Sequence, residues 1–143
     1  KQDQGFVSLW VAKHFFKKKL SYIGFGGLGH QVRDIIHIED VCEIILIQIK
    51  NLKKINNETF NIGGGKRNAI SLKNLTTKCQ QLTKSAISIS KITKTSMFDI
   101  PYFVTDNSKV FRFYKWRPSR SIDILLHDSY IWLKSNKIFK KYF

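Results

Sequence analysis

Gln31-Val32-Arg33-Asp34-Ile35-Ile36-His37-Ile38-Glu39-Asp40 is the stretch whose reading decides the fold. β-branched residues at Val32, Ile35, Ile36 and Ile38 suit a strand over residues 31–38. Asp40 is a good N-cap for a helix over residues 41–49, because its short carboxylate can accept from the free amides of a first turn. That helix is apolar nearly all round, which predicts burial on more than one side. His37 reads as a packed strand residue rather than a ligand.

Working outward, strands and helices alternate. On the N-terminal side, Phe6, Val7, Trp10, Val11 and Phe15 recur at three- and four-residue spacing, predicting a helix over residues 5–19. A short strand over residues 20–24 follows. On the C-terminal side come a strand over residues 58–62 ending in Gly63-Gly64-Gly65, and a helix over residues 72–83 capped by Ser71. A strand around Ile87, Ile89 and Ile92 is next, then an extended stretch from Asp99 to Val104, since Pro101 disfavours helix before it. Asp106 caps a short helix, and Ser121 opens a last amphipathic helix to about Asn136. The class is α/β.

The chain has 143 residues, enough for one domain with its own core and too few for two. Its hydrophobic content of 43% argues against disorder. No apolar run reaches the roughly 18 residues of a membrane span. Cys42 and Cys79 lack metal-ligand spacing and read as reduced core thiols of a cytoplasmic protein. His14, His30 and His127 have no partner spacing for a metal either. The net charge of +15 admits two readings, attraction to a polyanion or a general bias toward lysine. The lysines are scattered, as at Lys50, Lys73 and Lys109, with only short clusters at Lys17 to Lys19 and near the C-terminus, which favours the second.

Two motif matches are rejected. Gly24-Phe25-Gly26-Gly27-Leu28-Gly29 fits a dinucleotide fingerprint, but that motif needs a helix next, and a strand follows. A hairpin turn is the better reading. Tyr130 and Lys134 have the spacing of a short-chain dehydrogenase acid/base pair, but lie in the last helix and read as a surface pair.

The decisive stretch resembles the Q-x-R-D-x-x-H-V-x-D segment of the extended short-chain dehydrogenase/reductases, the NAD-dependent epimerase/dehydratase family. Phe60-Asn61-Ile62-Gly63-Gly64-Gly65 looks like its FN-[IV]-GGG turn, and Asp99-Ile100-Pro101 with Asp106-Asn107-Ser108-Lys109 like its D-[IV]-P and D-x-S-[KR] stretches. Trp116-Arg117-Pro118 looks like its W-[RK]-P. Within the family, Asp3-Gln4-Gly5 and Tyr22-Ile23-Gly24-Phe25-Gly26-Gly27 look most like the CDP-paratose 2-epimerase (CDP-tyvelose epimerase) group.

The resemblance implies an α/β fold: the C-terminal substrate-binding half of an extended short-chain dehydrogenase, including an outer strand (residues 60–62) of the Rossmann-type sheet. It implies that residues 1–143 are a truncated sugar-nucleotide-binding region whose N-terminal NAD-binding Rossmann region is missing. The parent would be a homo-oligomer that inverts a sugar carbon by transient oxidation, with NAD bound by the missing half. Exposed strand edges and helix faces would then make this chain self-associate. The implied partner is a nucleotide-sugar substrate, a CDP-hexose, with no membrane partner and nucleic acid disfavoured. The implied substrate-binding residues are Arg33, gripping the diphosphate, with Gln31 and Asp99. No catalytic, cofactor-binding or metal residue is expected here. A structural pairing of Arg33 with Asp34 or Asp40 stays open. A second diphosphate arginine, three residues before Asp99 in the family, is Ser96 here, and the glycine before the W-[RK]-P tryptophan is Lys115. The alternatives are a small basic nucleic-acid-binding module and a non-functional epimerase remnant.

Overall fold

The structure, a computed structural model, describes residues 5–53, 55 and 57–142. Asp3 and Gln4 of the N-terminal match lie outside the described residues. Among these, helices α1 (Phe6–Phe15), α2 (Ile38–Lys50), α3 (Leu72–Thr83), α4 (Ser108–Tyr114) and α5 (Ile122–Ser135) alternate with strands β1 (Leu20–Ile23), β2 (Val32–Asp34), β3 (Ala69–Ser71), β4 (Ile89–Ile92) and β5 (Tyr102–Phe103). The α/β class holds.

The chain forms two compact units, one from residues 1–32, 70–102 and 123–143, the other from residues 33–69 and 103–122. It passes between them within β2, β3, β5 and α5.

In the first unit, β1 and β4 pair in parallel, with Leu20 opposite Ile89 and Ile23 opposite Ile92. This corrects the hairpin expectation. The glycine turn does lead to a strand rather than a helix, but β1 takes its partner from β4. The glycines are there for packing. A Cβ on Gly27 would lie 2.8 Å from that of Lys91, and one on Gly29 would lie 2.9 Å from the Tyr22 ring. α1 packs on α3 through Thr76, whose hydroxyl accepts from Trp10 Nε1 at 2.9 Å and from the Tyr22 hydroxyl at 2.7 Å. It donates to the Leu72 carbonyl, so this buried hydroxyl is fully used. Ser71 caps α3 as expected, accepting the Asn74 N–H at 3.1 Å. His14 is buried, its Nδ1 bonded to the Trp10 carbonyl at 2.7 Å; burial holds its pKa below the usual histidine range although that bond acts the other way.

The second unit is built on Ile44, Val110 and Trp116, with Ile36, Ile47, Phe60, Ile62 and Tyr114 against them. Here the cap expectation is corrected. α2 starts at Ile38, three residues early, and its cap is His37, whose Nδ1 accepts the Glu39 N–H at 3.1 Å. Asp40 sits inside the first turn, because a distant loop claims its carboxylate (below). β2 ends at Asp34, and Ile35 instead donates its N–H to the Asn68 carbonyl at 3.0 Å. α2 is not buried on several sides. Of its apolar residues only Ile44 is fully covered, while Ile38, Ile45, Leu46 and Ile49 are exposed. Cys42 lies exposed on the same helix, so only Cys79 is a core thiol.

Residues 58–62 form no strand. A strand needs a ladder partner, and among the described residues side chains take that part. Lys109 Nζ donates to the Thr59 carbonyl at 2.9 Å, and the Asn107 amide brackets Gly63, donating to its carbonyl at 2.8 Å and accepting its N–H at 3.1 Å.

Candidate functional site

Arg33 stands half-buried on β2, followed by Asp34, which holds the glycine turn. Asp34 Oδ2 accepts the Gly65 N–H at 2.8 Å, and Oδ1 accepts the Thr105 hydroxyl at 3.3 Å. The turn has no room for side chains at its first two positions. A Cβ on Gly63 would collide with the Thr105 hydroxyl and the Asp34 carboxylate; one on Gly64 would strike the Ile35 carbonyl. Three separated pieces of sequence, residues 33–35, 63–65 and 105–107, are thereby fastened together.

Beside this knot, residues 60–62 and 103–106 line an open cleft of about 400 Å³, with Phe60, Ile62 and Phe103 as apolar walls and Asn61, Thr105 and Asp106 as polar groups. The cap expectation shifts by one residue: Asn107 is at the N-cap of α4, with no side-chain cap bond, and Asp106 before it accepts both the N–H and the hydroxyl of Ser108. Those bonds hold its carboxyl below the usual carboxylate range against desolvation, with a smaller contribution from the nearby cations Arg112 and Lys66.

Asp40 is fully buried. It accepts from Arg120 Nη1 at 2.6 Å, the Arg120 N–H at 3.2 Å and the Ser119 hydroxyl at 3.2 Å. Burial pushes its pKa up, but these bonds outweigh it and the carboxyl lies below its ordinary range. Arg120 also pairs with Glu39 at 2.7 Å. The Asn68 side chain adds a bond to the Arg120 carbonyl at 2.8 Å. Sequence reasoning assigned no role to Arg120, Asn68 or Asn107; their partners lie 44 to 80 positions away, beyond any local signal.

Arg33 belongs to the second unit, Gln31 and Asp99 to the first. Gln31 Nε2 donates to the Ile23 carbonyl at 2.9 Å, leaving Oε1 a buried acceptor with no hydrogen-bond partner. Asp99 is exposed, and its N–H closes a turn on the Ser96 carbonyl at 3.1 Å. The two positions that the resemblance links, 96 and 99, thus share one turn. Tyr130 packs edge-on against Phe15 at 5.5 Å, so of the Tyr130–Lys134 pair only Lys134 is a surface residue.

Residues 1–63 match the profile of the NAD dependent epimerase/dehydratase family. Over that stretch, less than half of its length, the chain is similar to the family. It is 29% identical over 135 residues to the CDP-paratose 2-epimerase of Salmonella typhi, covering 93% of this chain and 40% of that protein. The UDP-glucose 4-epimerase of Thermotoga maritima, solved with UDP-glucose, superposes with a TM-score of 0.76 at 21% identity, over 93% of this chain and 40% of that one. The dTDP-glucose 4,6-dehydratase of Bacillus anthracis, solved with NAD, gives 0.75 at 22%, over 96% and 41%. The chain therefore has the fold of part of an extended short-chain dehydrogenase, and spans about 40% of the length of the proteins it is similar to.

NAD is the family's cofactor, and these residues do not fit it. A pyrophosphate cradle needs a glycine turn opening into a helix. The 24–29 turn runs to β2, and the 63–65 turn runs through one short 3-10 turn to β3.

Proposed function

We propose that this chain is the nucleotide-sugar-gripping part of an epimerase, with Arg33 as the diphosphate contact. One observation carries the reading: Arg33 directly precedes Asp34, whose carboxylate is bonded to the Gly65 amide and to Thr105, so its backbone is held by a fixed knot. A guanidinium on such a support presents two parallel donors to phosphate oxygens with little ordering cost on binding. The redox step belongs to an NAD-binding portion that these residues do not provide. The likeness to a CDP-paratose 2-epimerase favours a CDP-hexose as substrate. Gln31 and Asp99 are further substrate contacts in this reading.

The absence of an arginine at Ser96 predicts weaker grip than in a two-arginine site. Each charge-assisted contact is worth about 1.5–3 kcal/mol, or roughly ten- to a hundredfold in affinity. Calorimetric titration of CDP and a CDP-hexose into the protein tests the reading. Arg33→Ala is expected to weaken binding by about ten- to a hundredfold, Ser96→Arg to strengthen it, and Gln31→Ala and Asp99→Ala to weaken it less. Equal affinities for the intact protein and Arg33→Ala remove Arg33 from the site.

A further inference from the structure

The two short lysine clusters of the sequence meet in the first unit. Lys17, Lys18 and Lys19 follow α1, and Lys137, Lys140 and Lys141 lie on the short 3-10 helix after α5. Lys18 Nζ donates to the Lys140 carbonyl at 3.2 Å, a contact across 122 positions that brings the two clusters together. Neither stretch is a loose tail at that point. Lys17 holds a left-handed φ of 53°, the Lys18 N–H bonds the Lys13 carbonyl at 2.8 Å, and Phe15 of α1 packs on Tyr130 of α5. No Asp or Glu occurs in residues 5–19 or 129–143. An apolar side chain stands among the lysines: Ile138 is 76% exposed.

We infer that this lysine cluster, together with the exposed Ile138, is a docking surface for an anionic lipid bilayer. Clustered lysines are attracted to a negative leaflet additively, by about fivefold in partitioning for each charge near the surface. An exposed isoleucine between them can enter the acyl boundary, which a purely electrostatic partner would leave unused. All six cations are lysines. Nucleic-acid recognition draws on arginine for bidentate and stacked contacts, and the cluster has none. Attachment of this kind needs no spanning helix, and no helix among the described residues is long and apolar enough to cross a membrane.

Co-sedimentation of the full chain with vesicles tests this. Binding to vesicles containing phosphatidylserine is expected to exceed binding to pure phosphatidylcholine vesicles by more than tenfold, and to fall steeply with added salt. The combined variant Lys137→Glu, Lys140→Glu, Lys141→Glu should lose more than tenfold on the anionic vesicles. Ile138→Ser should lose several-fold at high salt, where only insertion persists. Equal partitioning of the unmutated chain on the two vesicle types overturns the inference whatever the variants do. So does release from anionic vesicles by a stoichiometric unrelated oligonucleotide, which would reassign the surface to nucleic acid.

Discussion

Asp34 Oδ2 accepts the Gly65 backbone N–H at 2.8 Å, joining the end of β2 to the last glycine of a turn 31 positions on. The bond explains why the Arg-Asp pair and the triple glycine occur in one chain. Asp34 anchors the strand that carries Arg33. Asp34→Ala is expected to cost about 1.5–3 kcal/mol, the range for a hydrogen bond to a charged group. Gly64→Ala, with no space before the Ile35 carbonyl, should cost about 1–3 kcal/mol or more through forced displacement. Chemical denaturation of the variants measures both; native-like stability of Gly64→Ala would show that the turn is looser than its geometry.

Acid should attack the second unit through Asp40. Its folded pKa lies below the ordinary value near 3.8, so its stabilising contribution is complete above that value and drains away as pH falls through the lower folded one. Unfolding followed from neutral pH downward should therefore show a loss of stability below about pH 4 that Asp40→Asn abolishes. A variant that retains the full acid sensitivity would place its origin elsewhere.

The two thiols should differ sharply in reactivity. Burial pushes the Cys79 pKa up to about 12, which keeps it a protonated, covered thiol, whereas Cys42 is exposed on α2. Under native, mildly alkaline conditions a thiol reagent should titrate one equivalent rapidly, and the second only on unfolding. Cys42→Ser should remove the fast phase.

At Lys115 the chain departs from the family's glycine, and the backbone shows the consequence. α4 ends there in the left-handed region, φ 52° and ψ 23°, with the Lys115 N–H on the Phe111 carbonyl. A Cβ is strained in that conformation and glycine is not. Lys115→Gly is expected to raise stability by about 0.5–1 kcal/mol, the residual after glycine's larger unfolded-state entropy. A lower melting temperature for the variant would contradict this.

The outer face of α2 carries Ile38, Ile45, Leu46 and Ile49, the last two more than half exposed at 57% and 56%. Spaced at four and seven residues, Ile38, Ile45 and Ile49 form one stripe. The paired substitutions Ile45→Glu and Ile49→Lys should reduce dye binding and self-association while shifting stability by no more than about 0.5 kcal/mol. Sizing by light scattering checks the first, thermal unfolding the second. A large loss of stability would mean that the stripe is covered.

What the sequence determined by itself follows from forces that act within a few residues. Apolar spacing placed α1, the serine cap began α3, and Pro101 kept its neighbourhood extended; the order of motifs pointed to the epimerase/dehydratase resemblance. Tertiary structure alone decided where the long-range bonds go. β1 turned from its neighbour β2 to β4, Asp40 left the capping role for Arg120 across 80 positions, and Lys18 met Lys140 across 122. A carboxylate, a strand edge or an ammonium has the same local preferences whichever distant partner it takes. The choice is made by the path of the chain and by the need to satisfy every buried polar group, neither of which is written in a short window of residues.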